Sequence, residues 1–215
     1  MKVLVVGANG LTGKHVISLL AQDDTFEAVA MIRDEKQASD LEAKGAKTVL
    51  GDLEKDLSSA VKGMDAIIFA AGSGSKTGDD KTIAVDQEGA KNIIDEAKNQ
   101  GVARFVMLSS MGTDAPDQGP EGLQLYLRAK AIADTHLEQS NLQYTIVRPG
   151  ALTNDPPTGK IDVNDQIKDK SKSISREDVA KILVESLREE TTIGKNFEVL
   201  SGETPIEQAL KFAHE

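Results

Sequence analysis

Cysteine and tryptophan are absent from this 215-residue chain, and its aromatic side chains are limited to two Tyr and five Phe. The missing thiols exclude disulfides, thiolate catalysis and Cys-ligated zinc. So few rings leave no row of stacking platforms for bases, and each Tyr is worth checking for a role beyond packing. Histidine is sparse as well. His15, His136 and His214 are scattered, without the spacing of metal ligands, so no metal is expected. No apolar run approaches the ~18 residues of a membrane span. The chain opens on a strand-like run, Lys2 to Val6, with no basic-then-apolar leader, which predicts a cytoplasmic protein. Positive charge is in deficit: 25 Lys and Arg face 35 Asp and Glu, for a formal net charge of −10. Such a surface repels phosphate backbones, so nucleic acid is not an expected partner. A small-molecule substrate is expected instead, bound by a monomer or small homo-oligomer.

What the chain does contain is an alternation of short apolar runs and helical stretches. The runs Val3 to Val6, Ala28 to Ile32, Thr48 to Leu50, Ala66 to Phe69, Arg104 to Leu108 and Tyr144 to Val147 read as six strands. Between them lie predicted helices at Leu11 to Ala21, Glu35 to Lys44, Leu57 to Lys62, Thr82 to Asn99 and Leu123 to Ser140. This pattern predicts an α/β fold: a doubly wound parallel sheet of Rossmann type, its strands buried on both faces. Residues 151–172 are polar and irregular, with at most a short strand near Ile161 to Val163. A helix from Arg176 to Arg188 with Ser175 as N-cap, a strand at Phe197 to Leu200 and a helix at Ile206 to Phe212 complete the chain. The length suits one domain, with 151–215 as an elaboration covering the substrate site.

The first strand runs straight into Gly7-Ala8-Asn9-Gly10-Leu11-Thr12-Gly13 and then a helix. Gly7 permits the tight turn, Gly10 a close approach of backbone to a diphosphate, and Gly13 close packing of helix on strand. The helix N-terminus then offers N–H groups and a positive dipole end to phosphate. A P-loop is the nearest rival. It fails because His15, not Ser or Thr, follows Lys14, and because the glycine spacing is one residue too long.

Cofactor choice rests on the end of the second strand, Met31-Ile32-Arg33-Asp34. A guanidinium there suits the 2′-phosphate of NADP(H) through forked, charge-assisted hydrogen bonds. NADP(H) is therefore expected ahead of NAD(H), for which Asp34 is the available carboxylate. Asp52 and Leu53 follow the third strand; Asp52 is either an acceptor for the adenine amine or a turn residue. Ala70, Ala71 and Gly72 follow the fourth strand, where small residues let a cofactor lie against the backbone.

Leu108-Ser109-Ser110 after the fifth strand, Tyr126-Leu127-Arg128-Ala129-Lys130 on the next helix, and Tyr144 through Arg148-Pro149-Gly150 complete a set. With the Gly-x-x-Gly-x-x-Gly loop, this set resembles the short-chain dehydrogenase/reductase superfamily. The likeness is to its atypical, extended-like branch of small bacterial NAD(P)-binding, epimerase/dehydratase-like proteins, and it covers nearly the whole chain. It implies Tyr126, Lys130 and Ser110 as catalytic residues, with Ser109 as the alternative serine, and Pro149 and Gly150 beside the cofactor. Tyr126 and Lys130 are four apart and share a helix face. A nearby ammonium favours the phenolate and is expected to lower the Tyr126 pKa toward useful acid/base chemistry. Lys130 would also hold the nicotinamide ribose. Asp86 stands where the extended branch often has Asn, which leaves the usual proton relay open. The tail is too short for the substrate domain of a nucleotide-sugar epimerase. Hydride transfer on a small carbonyl or alcohol is the expected reaction; an epimerase or dehydratase with a recycled cofactor, or a non-catalytic redox sensor, are the alternatives.

Overall fold

The computed structural model describes residues 1–74 and 78–211. Six of its strands follow the apolar runs closely. β1 (Lys2–Val6) lies between β2 (Glu27–Ile32) and β4 (Ala66–Phe69). β3 (Lys47–Leu50) flanks β2, while β5 (Arg104–Leu108) and β6 (Gln143–Pro149) continue beyond β4. Every pairing among these six is parallel. The order 3-2-1-4-5-6 reverses between β1 and β4, and such a reversal opens a crevice at the carboxyl ends of the strands.

Alternate residues of each strand serve opposite faces. Val3 and Val5 of β1 join a cluster with Ile17, Leu20, Ile182 and Leu183, supplied by α1 (Leu11–Ala21) and α7 (Arg176–Ser186). Leu4 and Val6 join another with Ile93, Ile94 and Leu137, supplied by α5 (Ala90–Asn99) and α6 (Gln124–Glu138). The shorter helices are α2 (Ala38–Glu42), α3 (Ser58–Val61), α4 (Asp79–Lys81) and α8 (Ile206–Ala209). No helix among the described residues is long and apolar enough to cross a membrane.

Three features depart from or add to the expectations. An antiparallel edge is added to the expected doubly wound, parallel sheet. β10 (Lys195–Ser201) continues it parallel to β6, but β8 (Lys160–Asn164) runs antiparallel to both β10 and β11 (Thr204–Pro205). Residues 151–172 also hold more structure than their polarity suggests. β7 (Ala151–Thr153) pairs with β9 (Ser173–Ser175) in a small second sheet, and in β8 only Ile161 is buried, so that edge strand carries a weak apolar signal. Thirdly, the helix expected over Thr82 to Asn99 begins as a π-helical segment, Thr82–Gly89, between α4 and α5. Its wide turn brings Asp86 and Gly89 inward, and a Cβ on Gly89 would lie 2.8 Å from the Leu53 Cβ. The Ser175 cap is present, accepting the Asp178 N–H. The last helix is described to Ala209, and Phe212 lies outside the described residues.

Candidate dinucleotide and active site

The glycine loop is shaped by contacts that exclude side chains. Gly7 has φ +86, and a Cβ there would lie 2.5 Å from the Ala71 backbone nitrogen. A Cβ on Gly13 would lie 2.1 Å from the Gly7 carbonyl oxygen, so α1 can sit this close to β1 only without one. Gly10 is less crowded, at 3.1 Å from that same oxygen, and its N–H donates to it at 2.9 Å. Gly10 is the N-cap of α1, no side chain caps it, and no acidic residue occupies the first turn. An open, uncapped helix start beside a switch point has the N–H groups and dipole end that suit an anion. Asn9 and Leu11 stand on the exposed rim, whereas Thr12 is turned inward. This cradle fits a dinucleotide.

At the end of β2 Arg33 is exposed, its backbone N–H held by the Gln37 side chain at 3.0 Å. Asp34 is committed elsewhere: it caps the 3-10 turn Glu35–Gln37 by accepting the Lys36 N–H at 2.9 Å. Asp52 is half-buried and holds the Glu54 N–H at 3.1 Å and the Lys55 ammonium at 3.3 Å. These contacts, with the nearby charge of Arg33, keep its carboxyl below the usual range. Leu53 is a core residue, packed under Gly89. Ala70 and Ala71 line the floor; Ala70 N–H donates to Val6 O at 2.8 Å. Across the sheet Pro149 is buried in β6, and a Cβ on Gly150 would lie 2.5 Å from Leu200, closing that wall.

Tyr126, Lys130 and Asp134 follow one another at single-turn intervals along α6. The Lys130 ammonium is buried. It donates to Leu108 O at 3.1 Å and Ala71 O at 3.5 Å, and so joins the ends of β5 and β4. It also lies 3.5 Å from Asp86 Oδ1 and 6.0 Å from the centre of the Tyr126 ring. Asp86 is fully buried. Its Oδ2 takes the Ser73 N–H at 3.0 Å, and its Oδ1 accepts no hydrogen bond. The two serines separate cleanly. Ser109 is buried and donates to Asp134 at 2.9 Å; Ser110 is half-buried, donates to Met111 O at 3.2 Å and is near enough to Tyr126 to draw its pKa downward. Ser110, rather than Ser109, is the one that stands with the tyrosine.

The expected depression of the Tyr126 pKa is not found. Burial pushes the phenol above its ordinary value, Lys130 pulls it down, and Asp86 and Asp134 push it up again; the net shift is upward. Lys130 shows the mirror image. Burial works against its charge, but Tyr126, Asp86 and Asp134 together outweigh that and raise its pKa.

Sequence reasoning passed over Asp134 and Arg148. Asp134 Oδ2 gathers Ser109, the Thr113 hydroxyl at 3.2 Å and Arg148 Nε at 3.0 Å, while its Oδ1 accepts nothing. Burial raises its pKa against the pull of Arg148. A signal existed: Leu127, Lys130, Asp134 and Leu137 form one buried stripe, in which two charges interrupt an apolar pattern. Glu198 was missed as well. It is buried on β10 in register with Arg148, and it anchors the 165–170 segment through the Ile167 N–H at 2.7 Å and Lys170 at 2.9 Å. The histidines lie elsewhere. His15 is 3.8 Å from Glu177, and His136, half-buried, meets Asp95 at 2.7 Å. His214 lies outside the described residues.

A Rossmann sheet with this loop at its switch point defines a dinucleotide-binding protein of the short-chain dehydrogenase/reductase kind. The chain belongs to the NAD(P)H-binding family, whose model matches residues 7–190. It is 44% identical to an uncharacterized sugar epimerase, YhfK, of Bacillus subtilis (strain 168), across 98% of this chain and 99% of that one. A solved structure from Bacillus halodurans, named for an NAD-dependent epimerase/dehydratase, superposes with a TM-score of 0.95 at 48% identity, covering 98% and 99% of the two chains. The oxidoreductase ylbE from Lactococcus lactis superposes with a TM-score of 0.86 at 33% identity, covering 98% and 95%.

Proposed function

We propose that this protein is an NADP(H)-dependent oxidoreductase that moves a hydride to or from a small carbonyl or alcohol, with Tyr126 as general acid/base. The observation that carries the reading is the meeting of Tyr126, Ser110 and Lys130 at the carboxyl ends of β4 and β5, alongside the glycine cradle. A bound nicotinamide supplies or accepts the hydride. Ser110 donates a hydrogen bond to the reacting oxygen, Tyr126 exchanges a proton with it, and Lys130 ties the helix to the cofactor floor and holds the ribose. Gly7, Asn9, Gly10, Leu11, Thr12 and Gly13 surround the pyrophosphate, with Ala70, Ala71, Gly72, Pro149 and Gly150 against the rest of the cofactor. The preference for NADP(H) rests on Arg33 being open while Asp34 is engaged as a cap.

An epimerase reading, favoured by the Bacillus relatives' names, uses the same Tyr126 and differs in returning the hydride to its substrate. The test is NADPH consumption with a panel of small aldehydes, ketones and quinones. Turnover that falls by about 10²–10⁴ in Tyr126→Phe, with cofactor binding retained, supports the proposal. Turnover indifferent to that substitution overturns it.

A further inference from the structure

We propose that Asp86 tunes the acid of this site: by compensating the charge of Lys130, it strengthens the hold of Tyr126 on the proton that this residue gives to a carbonyl oxygen during reduction. The inference rests on the acid/base role proposed for Tyr126.

An ammonium stabilises a neighbouring phenolate only as far as its own charge is left uncompensated. Among the described residues, two ion pairs stand beside Tyr126. Lys130 Nζ lies 3.5 Å from Asp86 Oδ1, and Arg148 Nε lies 3.0 Å from Asp134 Oδ2, all four groups being largely withdrawn from solvent. On α6 and the described elements packed around it, Arg128 pairs with Asp117, His136 with Asp95 and Lys91 with Glu88, Glu96 accepts from Gln100 and Glu138 from Asn196, while Lys98 and Glu121 are exposed. The Lys130 donors point to Leu108 O and Ala71 O, two neutral carbonyls. With the charges offset, burial is what remains, and burial disfavours the phenolate; the upward shift of Tyr126 follows the same logic. Asp86 is placed for this by the π-helical turn, and the Ser73 N–H fixes its other oxygen.

In the reductive step the carbonyl carbon gains a hydride with its electron pair, supplied by a reduced nicotinamide, and the C–O π pair moves to oxygen. That oxygen takes the Tyr126 Oη proton, and the phenolate left behind recovers a proton from solvent.

The chain's composition permits a test without any substrate. It has no Trp and two Tyr, so Tyr144→Phe leaves Tyr126 as the single phenol, and its ionisation is read from tyrosinate absorbance of the intact protein. Far-ultraviolet circular dichroism on the same samples marks the pH range in which the fold persists. The expected midpoint lies above the ordinary tyrosine value of about 10, and adding Asp86→Asn lowers it by about one unit, a tenfold rise in phenolate at a given pH. A midpoint below the ordinary value, or one unmoved by Asp86→Asn, overturns the proposal. Should Asp86→Asn fail to fold, the midpoint of the Tyr144→Phe protein alone decides between phenol and phenolate. A low midpoint leaves the acid/base role of Tyr126 intact, whereas turnover that survives Tyr126→Phe removes that role and this inference with it.

Discussion

The two ends of β5 each hold a buried cation, and they hold it differently. At the amino end Arg104 is 4% exposed and meets only neutral acceptors: Gln143 O at 2.7 Å, Ser186 O at 2.7 Å, Thr192 Oγ1 at 3.0 Å and the Thr145 hydroxyl. Burial draws its pKa to about 10, which still leaves it charged at neutral pH. At the carboxyl end Lys130 is 2% exposed and stands among the carboxylates of Asp86 and Asp134, each with one oxygen that has no hydrogen bond among the described residues, that of Asp86 facing the ammonium at 3.5 Å. Near Arg104 the unpartnered atom is the Ser186 hydroxyl, a neutral group that costs far less to bury than a carboxylate. The neutral network ties β5, β6 and the end of α7 together; the charged one lies among the titratable groups of the candidate site.

Breaking the two ends should therefore have opposite signatures. The largest effect is expected from the double substitution Lys130→Met with Asp86→Leu. Replacing a buried ion pair by apolar groups is often neutral or stabilising, so folding stability should hold or rise by about 1 kcal/mol or more while turnover is lost. Arg104→Met should do the reverse. It strands several buried acceptors, each worth about 1–3 kcal/mol, and should cost roughly 3 kcal/mol of stability while the folded fraction still binds cofactor. Denaturant melts and a cofactor titration on the same two variants check both halves. A destabilised double mutant alongside an unaffected Arg104→Met would invert the comparison.

The smallest effect concerns the amino-end rim, where Asp23 receives the Thr25 hydroxyl and the Arg188 guanidinium. Those bonds, Thr25 first, draw its carboxyl from 3.8 to about 2. A depressed carboxyl stabilises the fold above its unfolded value and loses that contribution as pH falls through the folded one. Asp23→Asn should therefore be slightly less stable than the parent at neutral pH. The gap should close as pH falls from 3.8 toward 2, read from urea midpoints across that range.

The amino acid pattern made the carboxyl-end cradle legible because backbone geometry fixes it: Gly7 and Gly13 admit no Cβ, and the strand-loop-helix order says why. β1, β2, β4, β5 and β6 were equally open to reading, since parallel strands buried on both faces must be continuously apolar, whereas the edge strand β3 buries none of its four residues. The antiparallel edge was not, because β8 buries one residue of its five, Ile161. Nor was the sense of the Tyr126 shift. Its spacing from Lys130 names the attraction, but the opposing carboxylates come from a π-helical turn 40 residues earlier and from two turns further along α6. Electrostatics of this kind depends on three-dimensional sums that sequence spacing does not contain.

The central claim, an NADP(H) site at the switch point with Arg33 at its adenosine end, is tested most directly by equilibrium titration with NADPH and with NADH, followed by cofactor fluorescence. The account predicts binding of NADPH at least tenfold tighter than NADH, a gap that Arg33→Ala closes, consistent with a charge-assisted bond worth about 1.5–3 kcal/mol. Tighter binding of NADH, or binding of neither, would contradict it.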